Sequence, residues 1–225
     1  MEPKRDEIVK HQLETAFTAD VLEWGKDYMQ RFTTLMAYYR CAMMEVETKL
    51  HVLDVEYSLQ YDRNPINSIK TRLKSAESMR EKLQKMGLPL SISAIEDNLS
   101  DVAGVRVICS FPKDVYTIAD SLLKQDDIQL VQIKDYIKNP KPNGYRSLHL
   151  IITVPIFLAH EKKLMRVEVQ LRTIAMDSWA SLEHQLRYKK DYDFTDEMKY
   201  ELLLCANLSA ELDARMDALR SQVKD

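Results

Sequence analysis

From Met165 to Arg172 apolar and polar residues alternate without a break. Successive side chains of a strand point to opposite faces, so Met165, Val167, Val169 and Leu171 fall on one side and Arg166, Glu168, Gln170 and Arg172 on the other. A helix would smear the two sets around its axis, so this stretch demands a sheet with one core face and one polar row. Covering such a row is costly unless its groups find partners. It is either a solvated surface or the wall of a ligand pocket.

A second strand bears on that choice. Asp101–Cys109 (DVAGVRVIC) sets β-branched residues side by side and leaves no helical stripe. An acid and a glycine stand at its mouth. Arg106 interrupts the apolar run, so its charge must reach solvent or meet an anion. It is either an ordinary salt-bridged arginine or, with Asp101 at the same sheet edge, part of a site for a metal and a phosphate.

Helices occupy much of the remainder. A short helix is expected within residues 1–30, around Phe17, Val21, Leu22 and Trp24. Phe32, Met36, Tyr39, Met43, Val46, Leu50, Leu53 and Tyr57 then recur at steps of four and three, the stripe of a long helix packed on its own domain or on another subunit. After a break at Tyr61–Pro65, Asn64 as cap and Pro65 as first helical residue predict a basic helix with Ile66, Ile69, Leu73, Ala76, Leu83 and Met86 on its apolar side. Lys70 and Lys74 would lie one turn apart on it. Further on, a strand is expected over 128–133, a strand from Leu150 to Pro155, and a helix from Thr173 to Leu186 whose Glu183 and His184 either bind substrate or, the preferred reading, support the polar row. A last helix carries Met198, Leu202, Cys205, Leu212, Met216, Leu219 and Val223 on an interrupted stripe.

Between these elements, residues 138–149 (KNPKPNGYRSLH) are the least core-like stretch. Two prolines and a glycine fix a loop shape. There Tyr145 is suited to stack on a base and Arg146 to reach a phosphate, although each also has a plain packing role available.

Composition excludes several classes. Net charge is −3, against a global polyanion binder. Cys41, Cys109 and Cys205 form no paired framework, which fits a reducing compartment. The N-terminal residues lack an apolar signal core and no run reaches the ~18 apolar residues of a membrane span, so a cytoplasmic protein is expected. There is no Walker GxxxxGK[ST] run and no GxGxxG, and the four glycines leave little material for a glycine cradle. The remaining constellation is Asp101 and Glu168 from two strands, surrounded by Arg72, Lys74, Arg106, Arg146 and Arg172. It suits polyphosphate chemistry: Mg²⁺ takes carboxylate and phosphate oxygens, and cations neutralise a transferring group.

Five segments in this order resemble a known family: Lys70–Ser75 (KTRLKS), Asp101–Arg106 (DVAGVR), Lys134–His149, Val167–Thr173 (VEVQLRT) and Trp179–His184 (WASLEH). Together they are similar to the small alarmone synthetases, the single-domain branch of the RelA/SpoT synthetases, and to the RelQ type in particular. The resemblance implies an α+β fold with a mixed β-sheet flanked by helices, a nucleotidyltransferase-like synthetase fold with N- and C-terminal helical extensions. On this reading residues 1–225 form one synthetase domain, with an N-terminal helical region over 1–60, a catalytic core over 61–190 and a C-terminal helical region over 191–225. It implies pyrophosphate transfer from ATP to the 3′-hydroxyl of GDP or GTP, giving ppGpp or pppGpp and AMP. Asp101 matches the Mg²⁺-binding aspartate, and Glu168 a second essential carboxylate acting as metal ligand, general base or both. Arg72 and Arg106 match the arginines that bracket adenine. Lys74, Ser75 and Arg172 complete the ATP-binding set. Tyr145 matches the tyrosine that stacks on the acceptor guanine, with Lys141, Arg146, His149 and Gln170 beside it. The RelQ resemblance further implies a ring-like homotetramer, pppGpp as an allosteric ligand and, for some members, single-stranded RNA as a partner.

Two rival readings use the same residues. A nucleotidyltransferase of other specificity would share Asp101, Glu168 and Mg²⁺ but release pyrophosphate. A non-enzymatic nucleotide or RNA sensor would use the basic stretch 70–85 and Tyr145 without turnover, and would have no need of the two carboxylates.

Overall fold

The computed structural model describes residues 5–60, 64–188 and 194–223, with side chains from residue 23 onward except at 187 and 188. The chain runs α1 (Arg5–Gln60), β1 (Ile66–Leu73), α2 (Ala76–Lys85), α3 (Ile92–Asn98), β2 (Ala103–Cys109), α4 (Pro112–Leu123), β3 (Gln129–Asp135), β4 (Leu148–Phe157), β5 (Lys162–Thr173), α5 (Ile174–Tyr188) and α6 (Asp196–Arg220). The five strands form one sheet in the order β1-β2-β5-β4-β3. Only β2 and β5 are parallel neighbours; the other pairs are antiparallel, so the sheet is mixed.

The alternating stretch of β5 is the centre of that sheet. Met165, Val167, Val169 and Leu171 are buried on the core face, against β2 residues Val105 and Val107 and β4 residues Leu150 and Ile152. The same core takes in α1, through Leu35, Tyr39, Ala42, Val46, Leu50 and Leu53, and α4, through Val115, Ile118 and Leu122. The long helical stripe therefore packs on its own domain. Its helix is continuous from Arg5 to Gln60 and does not divide into a short and a long one. The side chains of Phe17, Val21 and Leu22 lie outside the described residues. No helix among the described residues is long and apolar enough to cross a membrane.

Two expectations about local structure are corrected. Residues 66–73 are a strand and not the start of a basic helix. The strand register slips between Ile66 and Ser68, where Ile66 faces Cys109, Ser68 faces Ile108 and Ile69 faces Val107. This bulge inserts one residue, so Ile66 and Ile69 reach the same face at a spacing of three, and the sequence mimics helical periodicity. Asn64 accepts from the Ile66 backbone N–H at 3.0 Å, an Asx turn that opens a strand. The helix begins later, with Ser75 as N-cap accepting from Ser78 N–H. The second correction is at Pro155. β4 runs on to Phe157, and Pro155 is tolerated because β3 pairs only as far as Thr153, which leaves that edge of β4 open.

α5 and α6 pack against each other at one end of the sheet. Trp179 Nε1 donates to Leu202 O at 2.9 Å, and Thr173 Oγ1 donates to the buried Asp213 at 2.6 Å. Burial pushes the Asp213 carboxyl up, against the Thr173 hydrogen bond that favours its charged form. Between the two helices lies an apolar groove of about 860 Å³, lined by Phe111, Ile174, Trp179, Leu182, Leu208 and Leu212 among others.

Candidate active site

The polar face of the sheet carries the predicted residues in two cross-strand rows. One row reads Arg72, Gly104, Glu168, Ile151 across β1, β2, β5 and β4. The next reads Lys70, Arg106, Gln170, His149, Lys134 across all five strands. Gly104 stands between Arg72 and Glu168 and adds no side chain. The floor there is open, and a cleft of about 290 Å³ forms over it, lined by Lys70, Arg72, Asp101, Arg106, Glu168 and Gln170 among others.

At the mouth of β2, Asp101 is gripped by two ammonium groups, Lys74 at 3.0 Å and Lys82 at 2.8 Å. Burial works to raise the Asp101 carboxyl, but the hydrogen bonds from Lys82 and Lys74 outweigh it and hold it below its ordinary value. Lys70 is not beside Lys74 but reaches Asp177 at 3.6 Å, because it sits in β1 and Lys74 lies past the strand's end. Ser75 spends its oxygen as the α2 cap, and its hydroxyl donates to Ser78.

Glu168 belongs to a closed ring of hydrogen bonds. Arg172 Nη2 donates to the Tyr145 hydroxyl at 2.5 Å and to Gln170 Oε1 at 3.0 Å. The Tyr145 hydroxyl meets His149 Nε2 at 2.8 Å, and His149 Nδ1 meets Glu168 Oε1 at 3.0 Å. Gln170 Nε2 donates to Glu168 Oε2 at 2.8 Å. Arg172 can only donate and the Glu168 carboxylate can only accept, so with a neutral His149 imidazole the ring has one consistent direction. Tyr145 passes its proton toward Nε2, which leaves Nδ1–H facing the carboxylate, and both arms converge on Glu168. Burial would raise the Glu168 carboxyl; the hydrogen bonds from His149 and Gln170 prevail and hold it below its ordinary value. The glutamate is thus ionised and fixed before any ligand arrives.

Tyr145 itself stands in a turn made possible by Gly144, whose φ of 88° is open to glycine. A Cβ there would also strike Ala206 of α6. The Tyr145 ring is flanked by Lys141 Nζ at 4.9 Å and meets Tyr136 edge-on at 6.0 Å. Arg146 does not line the cleft. Its guanidinium donates to Gly144 O, Ala206 O and Asn207 Oδ1, which pins the loop to α6. Glu183 accepts from Asn143 Nδ2 at 3.3 Å, a tie to the same loop. Arg172, expected on the ATP side, is turned toward Tyr145 and Gln170.

Three residues join the site without having been singled out from the sequence. Lys82 is the second cation on Asp101. Tyr136 walls the aromatic cluster of Tyr145 and His149. Asp177, in the first turn of α5, meets both Arg106 and Arg172 at 3.3 Å. For Asp177 the sequence offers only an acid at a helix start, which reads as a complement to the helix dipole.

Among the described residues no three His, Cys, Asp or Glu side chains cluster as an all-protein metal cage. What the cleft offers is two carboxylates. That donor set fits a hard cation of the Mg²⁺ kind, which keeps to one or two protein carboxylates and takes its other oxygens from phosphate and water.

Comparison with known proteins follows the same segments. Residues 71–193 match the family described as the region found in RelA / SpoT proteins. The chain is 39% identical over 198 residues to the GTP pyrophosphokinase YwaC of Bacillus subtilis, covering 88% of this chain and 94% of that one. It is 33% identical over 187 residues to the GTP pyrophosphokinase YjbM of the same organism, covering 83% of this chain and 87% of that one. Among solved structures, small alarmone synthetase 2 from B. subtilis superposes with a TM-score of 0.78 at 39% identity, covering 85% of this chain and 99% of that chain. Small alarmone synthetase 1 from B. subtilis, bound to its product pppGpp, superposes with a TM-score of 0.80 at 32% identity, covering 87% of this chain and all of that one (100%).

Proposed function

The chain belongs to the RelA/SpoT synthetase family and is a GTP pyrophosphokinase, and we propose that its cleft moves the β,γ-pyrophosphoryl group of ATP onto the 3′-hydroxyl of GDP or GTP. The observation that carries this reading is the pairing of two ionised carboxylates with two separate sets of cations on one sheet face. Lys70, Arg72 and Arg106 flank the β1–β2 side of the cleft. Lys141 and Arg172 gather around the Tyr145 ring on the other side.

In this mechanism Arg72 and Arg106 bracket the adenine, and Lys74 and Lys82, already at Asp101, meet the ATP phosphates. Ser75 stands at the N-terminus of α2, where backbone N–H groups favour an anion. Tyr145 stacks on the guanine, with Lys141 yielding the ring face to it. Holding both nucleotides converts the encounter into a unimolecular step. The 3′-oxygen bonds to the β-phosphorus, that phosphorus parts from the α–β bridging oxygen, and AMP leaves with it. Glu168, fixed by His149 and Gln170, takes the 3′-hydroxyl proton. Asp101 and Glu168 would hold Mg²⁺ together with ATP oxygens, and the ion would spread the charge on the transferring group.

Incubation with ATP labelled in its β-phosphate plus GDP, GTP or GMP tests this directly. The expected products are AMP and a nucleotide that has gained the label as a 3′-pyrophosphate. Release of pyrophosphate would indicate nucleotidyl transfer, and binding without product would indicate a sensor.

Tyr145→Ala is expected to weaken GDP or GTP binding by ~1–3 kcal/mol, the range for a base stacked on an aromatic ring. ATP binding should change little. Calorimetry with a non-reactive ATP analogue checks this, and an equal loss for both nucleotides would count against the assignment.

We also infer a homo-oligomer, with four subunits as the RelQ resemblance implies. The groove between α5 and α6 supports this, since Leu208, Leu212 and Met216 stay exposed along it. Light scattering should give about four times 26.3 kDa. A fully active 26.3 kDa species at micromolar concentration would reject assembly. Activation by added pppGpp and binding of labelled single-stranded RNA belong to the same proposal, and each is read by titration against wild-type turnover.

A further inference from the structure

Asp177 is 9% exposed and is not part of the ring on Glu168. One of its oxygens, Oδ1, accepts from Arg106 Nη1 at 3.3 Å and from Arg172 Nη1 at 3.3 Å. The other, Oδ2, faces Lys70 Nζ at 3.6 Å. The two guanidiniums come from different strands. Arg106 pairs with Gln170, and Arg172 is two residues further along β5, so both project from the same face. Arg172 is buried and Arg106 half-buried, and two guanidiniums drawn to one carboxylate oxygen repel unless that anion sits between them. Burial and the neighbouring Arg172 charge indeed both press the Arg106 guanidinium downward, with Asp177 acting the other way.

The two arginines serve different halves of the cleft. Arg106 lines the β1–β2 side with Arg72, and its buried Nε has no hydrogen-bond partner among the described residues. Arg172 continues into Tyr145 and Gln170. We propose that Asp177 is a positioning residue that couples the donor and acceptor nucleotide sites, by holding Arg106 and Arg172 on one carboxylate. This rests on the two-nucleotide reading given above. A base seated on Arg106 fixes the guanidinium, hence the Asp177 carboxylate, hence Arg172 and the Tyr145 hydroxyl it holds. Ordering one site thereby lowers the cost of ordering the other.

The test is a binding cycle on the full-length protein: GDP affinity with and without a saturating non-reactive ATP analogue, and the reverse. In the wild type each nucleotide should tighten the other by ~5-fold or more, the low end of ordinary coupling. Asp177→Asn, which keeps shape and loses charge, should bring that factor close to one. Asp177→Glu, which keeps the charge, should restore a substantial part of it. A purely structural role would lower the melting temperature or weaken both nucleotides while leaving the coupling factor unchanged, and that result overturns the inference. So does a wild type that binds the two nucleotides independently while still releasing AMP. A wild type that binds only one nucleotide, or forms no AMP, overturns the two-nucleotide reading itself. If Asp177→Asn does not melt cooperatively, Asp177→Ser replaces it in the same cycle, with retained coupling again overturning the inference.

Discussion

Glu168→Gln is expected to lower turnover at least ~100-fold, the scale of a lost general base, while the fold survives. The amide keeps one acceptor oxygen where the carboxylate had two. His149 and Gln170 both donate to Glu168, so one of these bonds must be given up or Gln170 must flip and release Arg172. That rearrangement costs about 1 kcal/mol of stability, as for one hydrogen bond, and is small beside the kinetic loss. Product formation per enzyme, measured beside a thermal melt, separates the two. Near-normal turnover in the purified variant would remove Glu168 from the chemistry.

Asp101→Asn should be almost as damaging but in a different way. In the wild type the carboxylate balances Lys74 and Lys82. Without its charge both ammoniums remain at the cleft mouth and face incoming phosphates unopposed. ATP binding should therefore hold or tighten, while turnover falls by ~100-fold or more, the scale for removing one electrostatic group aimed at the transition state. Added Mg²⁺ should recover part of the loss if the side chain serves the ion. Turnover and KM for ATP, measured across a magnesium titration, check this. A variant with wild-type turnover at ordinary magnesium would exclude Asp101 from the reaction.

The legible parts of the sequence are those where both faces of an element are committed. β5 could be read residue by residue because Val167 and Val169 must be dry and Glu168 and Gln170 must be paired. β2 was legible through Arg106, a charge in an apolar run with few places to go. β1 was misread because its bulge sets Ile66 and Ile69 three apart, and sheet pairing overrides the local period. Arg146 is next to Tyr145 in sequence and suits the same ligand, yet adjacent residues on a turn diverge, and it anchors the loop to α6 instead. The ring around Glu168 had all its members named, but as separate nucleotide contacts. That they bind one another is a property of strand register, which no single segment encodes. Asp177 and Lys82 were hidden because an acid or a lysine on a helix has an adequate explanation in solvent.

The strand order has a consequence for the making of the protein. β5 is central in space but last of the five strands in the chain. Without it, β1–β2 and β3–β4 share no hydrogen-bonded edge, and the inner edges of β2 and β4 would lie open to unwanted strand pairing. Joining them closes long loops, the slow step of a non-local topology. Glu168 travels on the strand that does the joining. Completion of the sheet therefore completes the cleft, and a nascent chain halted before Lys162 is expected to be inert, not partly active.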